Sequence, residues 1–155
     1  MNDSPIILAR GVAKRFGDFE ALAALDLEVR KGGCVGLLGP NGAGKSTFIG
    51  CLYGVVSRSG GELGVFGLDP AKEAREIKRR IGVVPQENAL DEGLTVLENM
   101  RLYAGFGGLS RKQADPRIHE LLCYMALDGK RDATIKTLSG GMKRRLVFVR
   151  ALLAD

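Results

Sequence analysis

The chain has 155 residues, a net charge of +5 at neutral pH and 45% hydrophobic residues. Its 22 glycines are about twice the average share, but no Gly-X-Y period runs through the chain, which excludes a collagen-like fold. The apolar content is too high for a disordered protein, and no apolar run reaches the ~18 residues of a membrane-spanning helix. No secretory signal is visible at the start, so we expect one cytosolic domain or part of one.

The cysteines and the histidine do not form a recognisable disulfide or metal pattern. Cys34, Cys51 and Cys123 are far apart and odd in number, and His119 is the only histidine. Disulfide frameworks and zinc sites need paired ligands at closer spacing. We therefore expect the cysteines to be small, reduced core residues and His119 to be an ordinary surface or half-buried residue.

The first 85 residues or so alternate between strand-like and turn-like segments. Short strands are predicted at residues 6–9, 25–30, 34–38 and 81–85, the last two as buried strands. A helix is expected from about Lys45, and a glycine-rich hairpin around residues 59–61 leads into residues 62–67. This part therefore has the pattern of an α/β fold.

The remainder of the chain is predicted to be helical. Thr95-x-x-Glu98 is a capping box that opens a helix. Ser110-x-x-Gln113 opens the next helix or, alternatively, Pro116 marks its first turn. The predicted helices cover residues 95–106, a segment that begins near residue 110, and residues 139–154.

Residues 39–46 match the pattern GxxxxGK[ST], and Thr47 follows them. Glycines let such a loop curl so that its N–H groups point inward at phosphate oxygens, and the helix that follows directs its positive end at the same anion. In this pattern Lys45 reaches the β- and γ-phosphates, and the hydroxyl of Ser46 binds Mg²⁺. A glycine-rich turn without a ligand is the alternative. A predicted strand before the loop and a helix after it favour phosphate binding.

Residues 137–146, with the sequence TLSGGMKRRL, predict a second helix start suited to an anion. Ser139 is the N-cap, and Gly140 and Gly141 expose N–H groups in the first turn. Each glycine lowers the stability of the helix by about 1 kcal/mol relative to alanine. That cost suggests a ligand that approaches the backbone, but a simple capped helix is the more economical interpretation of these residues alone. No NKxD guanine-binding motif occurs in the chain, which disfavours a GTPase.

Together these motifs resemble those of ATP-binding cassette (ABC) proteins. Residues 138–142 are similar to the LSGGQ signature, with Met142 in place of glutamine; Gln86 follows Val-Pro as in a Q-loop; and Phe16 stands at the aromatic A-loop position. The order and spacing fit across essentially the whole chain. The LSGGMKRR variant, with IGVVPQ and LTVLEN, looks like the ABC-2 exporter branch that includes nodulation-factor and daunorubicin-type exporters.

The resemblance implies a role for each site residue. Phe16 would stack on adenine, with a plain core aromatic as the alternative. Gln86 would contact Mg²⁺ or the attacking water and relay the nucleotide state to a membrane subunit, with a polar strand-end residue as the alternative. Catalytic roles would fall to Lys45 and Gln86, and metal contacts to Ser46 and Gln86. The implied nucleotide-binding residues are Phe16, Gly39, Pro40, Asn41, Gly42, Ala43, Gly44, Lys45, Ser46, Thr47, Ser139, Gly140 and Gly141.

The resemblance also implies an architecture and partners. The fold class would be α/β, a P-loop, RecA-like core with a small antiparallel β part (about residues 1–86) and an inserted helical subdomain (about 87–155). Ser139, Gly140 and Gly141 would complete the ATP site of a second copy in a head-to-tail dimer. Residues 87–106 would receive a transmembrane permease of the ABC-2 type. The protein would bind ATP and Mg²⁺ in the cytoplasm, against the inner face of the membrane.

Family features that follow the signature are not found in these 155 residues. The family continues into an apolar strand ending in Asp-Glu (Walker B), a D-loop and a switch histidine. Asp155 is not expected to be the Walker B aspartate, because residues 146–154 have helical periodicity, and His119 precedes the signature. We therefore expect an incomplete cassette with negligible hydrolysis by this chain alone.

Three interpretations of function stand beside each other. The first is the ATPase subunit of an exporter, driven by ATP-dependent dimer closure. The second is a non-transport ABC protein acting on DNA or ribosomes, which only the positive charge supports, so no nucleic-acid partner is expected. The third is a truncated cassette that binds nucleotide or a partner without catalysis. The basic residues of the signature helix are expected to form a solvated face; they are Lys143, Arg144, Arg145 and Arg150.

Overall fold

The computed structural model describes residues 4–154, and the chain divides after Ile77 into two compact units. The elements in chain order are β1 (Ile7–Phe16), β2 (Phe19–Val29), α1 (Lys45–Leu52), β3 (Gly60–Val65), α2 (Pro70–Arg80), α3 (Val96–Phe106), α4 (Arg111–Tyr124) and α5 (Gly140–Leu152). Short 3₁₀ turns lie at Asp128–Lys130 and Ile135–Thr137. Within residues 4–154, no helix combines the length and the apolar character needed to cross a membrane.

The first unit is built on a three-stranded antiparallel sheet in the order β2-β1-β3. β1 and β2 form a hairpin in which Ile7 pairs with Val29 and Phe16 with Phe19. Gly17, with a φ of 57°, supplies the left-handed conformation that the two-residue turn requires. These strands overlap the predicted segments 6–9 and 25–30 but are longer, at 10 and 11 residues, because pairing across the hairpin extends them beyond their apolar runs.

The glycine pair at residues 60 and 61 opens β3 and is not the turn of a hairpin, so that prediction was wrong. β3 pairs antiparallel with β1, and Gly61 has a φ of 79°. A Cβ at Gly61 would overlap the carbonyl group of Gly11 on β1. The two backbones therefore approach closely at an irregularity of the ladder, a position that only glycine fits.

The buried strands predicted at residues 34–38 and 81–85 are not found among the strands of the described residues. Val35 is 47% exposed and Leu38 is 96% exposed. A strand needs a neighbour for its backbone hydrogen bonds, and an apolar run does not supply one. In the second segment, a Cβ at Gly82 would overlap the backbone of Ala151 on α5, so that segment lies against a helix.

The core of the first unit lies between the sheet and α1. Phe48 and Cys51 of α1 are each 1% exposed, and burial raises the pKa of the Cys51 thiol. They pack with Ala9, Val12, Leu22 and Leu63. Cys51 is thus a core residue as predicted, but Cys34 and Cys123 are exposed. Cys34 lies in the unpaired segment 34–38 and Cys123 on the solvent face of α4, so the prediction was wrong for both.

An ion pair fixes the start of α2, a helix that we did not predict. Arg58 donates to both carboxylate oxygens of Asp69, at 2.7 and 3.1 Å, and the backbone N–H of Ala71 donates to the same carboxylate at 2.9 Å. The Arg58 guanidinium lowers the pKa of Asp69 to about 2. Asp69 followed by Pro70 is a helix-start signal, so the sequence did contain the information for this helix.

The second unit contains α3, α4 and α5, and both capping motifs are confirmed. At α3 the Thr95 N–H donates to the Glu98 carboxylate at 2.8 Å, and the Glu98 N–H donates to the Thr95 hydroxyl oxygen at 3.2 Å. At α4 the Ser110 N–H and hydroxyl donate to the Gln113 side-chain oxygen at 3.0 and 2.7 Å. Pro116 lies inside α4, so the alternative that placed it in the first turn was wrong.

The helices of the second unit pack around one apolar core. Its fully buried members include Val96, Met100, Ile118, Leu122, Leu146 and Val149. The last helix begins after Ser139 and ends at Leu152, which confirms the predicted helix through that residue. Asp155, which is not expected to be the Walker B aspartate, lies outside the described residues.

Candidate functional site

The predicted phosphate loop lies on the surface of the first unit and leads directly into α1. Gly42 and Gly44 have φ values of 84° and 80°, which turn the chain so that the helix begins at Lys45. A Cβ at Gly44 would overlap the carbonyl oxygen of Ala21 on β2. Only glycine therefore fits at this position, and the loop is held against the hairpin.

The first turn of α1 provides the N–H groups that an anion needs. The first helical bond runs from the Phe48 N–H to the Gly44 carbonyl oxygen, at 2.8 Å. Helix geometry leaves the N–H groups of Lys45, Ser46 and Thr47 without acceptors inside the helix. They lie at the positive end of the helix dipole, where a phosphate with several acceptor oxygens is the natural ligand.

Lys45 carries the positive charge of the loop. Its ammonium donates to the carbonyl oxygens of Gly39 and Pro40 at 2.8 and 2.7 Å, so the side chain folds back over the loop. Ser46, the next residue, is exposed, and its hydroxyl is the oxygen ligand that Mg²⁺ prefers. The residues present therefore fit a nucleoside triphosphate with Mg²⁺.

Phe16 ends β1 beside the hairpin turn and is 52% exposed. Its register partner Phe19 is 65% exposed, and the Lys14 ammonium lies 4.6 Å from the centroid of the Phe16 ring. This exposure rules out the alternative of a core aromatic and leaves an aromatic face that can stack on a planar ring. Phe19 was not among the predicted site residues, although a second aromatic across a Gly-Asp turn was a visible signal.

In the second unit, a side chain of α5 holds the irregular segment that carries Gln86. Arg144 donates to the carbonyl oxygen of Pro85 at 2.6 Å and to that of Gln86 at 3.4 Å. The Gln86 side chain is exposed. The backbone around this residue is therefore tied to α5, while its amide faces solvent.

The same segment is held again at Ala89, whose φ of 42° is unusual for a residue other than glycine. Arg150 of α5 and the Tyr103 hydroxyl of α3 both donate to the Ala89 carbonyl oxygen, at 2.9 and 2.6 Å. The Arg150 guanidinium also lies 4.5 Å from the centroid of the Tyr103 ring. Two helices therefore fix the conformation of residues 85–89; we call these contacts the Q-segment clamp.

The basic residues of α5 do not form a solvated face, so that prediction was wrong. Lys143 pairs with Glu92 at 3.0 Å, Arg145 donates to the Met125 carbonyl oxygen at 2.7 Å, and the other two form the Q-segment clamp. Irregular segments leave carbonyl oxygens without ladder partners. Long side chains with several donors satisfy these oxygens. The charge pattern along one helix does not reveal such contacts, because the acceptors lie in other segments.

Ser139 caps α5 as predicted, because its hydroxyl oxygen accepts from the Met142 N–H at 3.3 Å. Gly140 and Gly141 form the exposed start of the helix. A Cβ at either position would meet no atom within 4 Å. Packing within the described chain therefore does not require glycine here, and the open backbone suits a group that approaches from outside.

A family model described as "ABC transporter" matches residues 22–155. Nod factor export ATP-binding protein I of Cupriavidus metallidurans is 43% identical over 150 residues, covering 97% of this chain and 50% of that protein. The protein of the same name from Rhizobium etli is 40% identical over 144 residues, covering 93% of this chain and 46% of that protein. The chain thus spans about half the length of the curated relatives it matches.

Solved structures show the same fold. The ATP binding subunit of an ABC transporter superposes with a TM-score of 0.85 at 28% identity, covering 96% of this chain and 62% of that chain. cbiO1 from Clostridium perfringens, described as part of the ABC transporter complex cbiONQ, also gives 0.85, at 22% identity over 98% of this chain and 62% of that one. The predicted fold class, a P-loop core with a small antiparallel sheet and a helical part, is confirmed. The chain belongs to the ABC transporter family and is similar to its ATP-binding subunits.

Proposed function

We propose that this chain binds ATP with Mg²⁺ through residues 39–47 and forms the nucleotide-binding part of an ABC exporter ATPase. The observation that carries the proposal is the loop that leads into α1. It combines the first-turn N–H groups of the helix with the Lys45 ammonium, which lies 2.8 Å from the Gly39 carbonyl oxygen. The relatives named as Nod factor export ATP-binding proteins support the exporter assignment, and we propose the ABC-2 branch on the resemblance of the signature sequence.

The roles of the loop residues follow from their chemistry. Lys45 neutralises charge on the β- and γ-phosphates, and the N–H groups of residues 45–47 hold phosphate oxygens. The Ser46 hydroxyl and the Gln86 amide oxygen are the groups that would hold Mg²⁺, and the ion would supply positive charge to the phosphates. Phe16 offers its exposed ring to the adenine.

The partner assignments rest on the start of α5 and on the helical unit. We assign Ser139, Gly140 and Gly141 to the ATP site of a second copy, because all three residues are exposed and no packing contact in the described chain requires the glycines. We assign residues 87–106 to a permease of the ABC-2 type. With these partners, we expect the protein to work in the cytoplasm, against the inner face of the membrane.

Hydrolysis is assigned to the family protein, with Lys45 and Gln86 in its catalytic site. Within the 155 residues we assign no side chain other than Gln86 to the attacking water, and removing a general base typically costs 10²- to 10⁴-fold in rate. We therefore expect this chain alone to bind nucleotide with negligible turnover. Turnover by the purified chain that disappears in Lys45→Ala would contradict that expectation and favour a complete enzyme.

The binding proposal is tested by titrating the full chain with ATP and Mg²⁺ in a calorimeter. Lys45→Ala removes a charged hydrogen bond to phosphate, which we expect to weaken binding by about 10- to 100-fold. Lys72→Ala is the matched control, because Lys72 is an exposed lysine in the first turn of α2. Circular dichroism verifies that both variants are folded.

Two results would overturn the proposal. The first is equal ATP affinity in Lys45→Ala and the unsubstituted chain. The second is an equal loss of affinity in Lys72→Ala, which would point to a general charge effect. A Ser46→Ala variant that binds ATP with the same dependence on Mg²⁺ would contradict the assignment of Ser46 to the metal ion, but not the proposal that the loop binds ATP.

A further inference from the structure

The exposed face of α4 brings the only histidine of the chain against a cysteine. Cys123 Sγ lies 3.8 Å from Nε2 and 4.0 Å from Nδ1 of His119. The two residues are one helical turn apart, at positions i and i+4, and such residues share a face. Both are exposed. They are not part of the buried face of the helix, which is formed by Ala114, Ile118, Leu121 and Leu122.

The spacing of the two side chains matches the bite of a metal ion. Zinc binds thiolate at about 2.3 Å and imidazole at about 2.0–2.1 Å, so a tetrahedral angle between them places sulfur and nitrogen about 3.5 Å apart. The observed separation of 3.8 Å between Cys123 Sγ and His119 Nε2 differs from that by a few tenths of an ångström. Because the sulfur is almost as close to Nδ1, at 4.0 Å, it does not lie in front of one nitrogen alone, and metal binding requires the exposed imidazole to turn.

The donor types select the ion. Thiolate is a soft ligand that favours zinc and Cu(I), imidazole suits zinc, copper and nickel, and hard ions such as Mg²⁺ prefer oxygen. A cysteine and a histidine together therefore favour a divalent ion of the zinc class. This preference separates the pair from the oxygen ligands that we assign to Mg²⁺ in the phosphate loop.

The neighbouring carboxylates of α4 are already engaged. Arg101 donates to both oxygens of Asp115, at 2.8 and 2.6 Å, and Arg117 donates to Glu120 at 2.8 Å. Among residues 4–154, no group of three or more histidine, cysteine or acidic side chains is arranged to hold a metal ion. The pair therefore provides two protein ligands, and water completes the coordination.

We propose that His119 and Cys123 form a two-ligand site for a divalent metal ion of the zinc class on the surface of α4. On binding, the ion exchanges two water ligands for the Cys123 sulfur and a nitrogen of His119, and the thiol proton passes to solvent. The site is separate from the proposed nucleotide function, and its test does not depend on ATP binding.

The test is a titration of the full, reduced chain with Co²⁺, followed by thiolate-to-cobalt absorption, and then with Zn²⁺ in competition. We expect one equivalent of Co²⁺ to produce the absorption band and Zn²⁺ to displace it, while excess Mg²⁺ has no effect. Cys123→Ser should abolish the band. His119→Gln should weaken Co²⁺ binding by at least about tenfold, because one of two protein ligands is lost.

Cys34→Ser is the matched control, because Cys34 is the other exposed cysteine and lacks a paired histidine, since His119 lies next to Cys123. It should leave the band and the affinity unchanged. A band that persists in Cys123→Ser, or that disappears in Cys34→Ser, would overturn the proposal. Equal affinity in His119→Gln would also overturn it, because the cysteine would then bind the metal without its partner. Absence of saturable binding would have the same consequence.

Discussion

At the scale of single residues, the glycines of the two proposed anion sites have different reasons to be glycine. At Gly44 a Cβ would overlap the backbone of Ala21, and the φ of 80° is left-handed. At Gly140 a Cβ would meet nothing within 4 Å. The first glycine is required by the fold of this chain. The second is tolerated at a cost in helix propensity, which fits a role in contact with another molecule.

This contrast predicts opposite effects of one substitution at the two sites. Gly140→Ala should raise the free energy of unfolding by about 1 kcal/mol, because alanine favours the helix. Gly44→Ala should lower it by about 1–3 kcal/mol through backbone strain. Urea denaturation of the full chain, followed by circular dichroism, measures both. If Gly140→Ala proves destabilising, the glycine is required by the fold of the chain itself.

The ion pair between Arg58 and Asp69 predicts a dependence of stability on pH. The pKa of Asp69 falls from its ordinary value of 3.8 to about 2 on folding, so the native state holds this proton less readily than the unfolded chain does. The stabilisation is complete above about pH 4 and disappears as the pH falls toward 2. Because the side chains are 21% and 26% exposed, we expect about 1–2 kcal/mol after screening.

The measurement compares the unfolding free energies of Asp69→Asn and the unsubstituted chain at pH 7 and near pH 2. The difference should be largest at pH 7 and should shrink at low pH. Asp132→Asn, at an exposed aspartate, serves as the control and should show little difference at either pH. A gap for Asp69→Asn that stays constant down to pH 2 would mean that the carboxylate charge is not what stabilises this region.

At the scale of elements, α5 contacts segments of the second unit that are distant from it in the sequence. It begins at the signature residues, and through Arg144 it holds the backbone of Pro85 at 2.6 Å. Near its end, the backbone of Ala151 lies against Gly82. One rigid helix thus fixes both the site assigned to the partner's nucleotide and the segment that carries Gln86.

The Q-segment clamp predicts a local effect of Arg144→Ala. Loss of the charged donor leaves the Pro85 carbonyl without its partner, which should lower the free energy of unfolding by about 1.5–3 kcal/mol. Hydrogen exchange of peptides covering residues 85–92 should become faster. Arg111→Ala, at an exposed arginine of α4, should change stability by no more than about 0.5 kcal/mol. Unchanged exchange in Arg144→Ala would show that the clamp does not control this segment.

At the scale of the whole molecule, the features that could be predicted are those whose partners lie within a few residues. The phosphate loop and the caps of α3 and α4 are local, since Thr95 and Glu98 are three residues apart. The start of α2 is equally local, because its signal consists of the adjacent residues Asp69 and Pro70. The contact between Arg144 and Pro85 spans 59 residues, and no pattern along one helix specifies it.

The failed strand predictions have the same physical origin. Residues 34–38 and 81–85 have the composition of strands, but a strand exists only with a hydrogen-bonded neighbour. The described sheet consists of β1, β2 and β3. Leu38 illustrates this point. Its apolar side chain predicts burial, but it is 96% exposed because no other layer of the described structure covers it.

The two hydrogen bonds from Lys45 to the carbonyl oxygens of Gly39 and Pro40 make anion binding an exchange reaction. The ammonium is already solvated by its own loop, so what it adds to affinity is the difference between phosphate and carbonyl as acceptors. That difference is smaller than the full strength of either bond. Until an anion binds, the Lys45 ammonium therefore keeps hydrogen-bond acceptors from its own loop, at the carbonyl oxygens of residues 39 and 40.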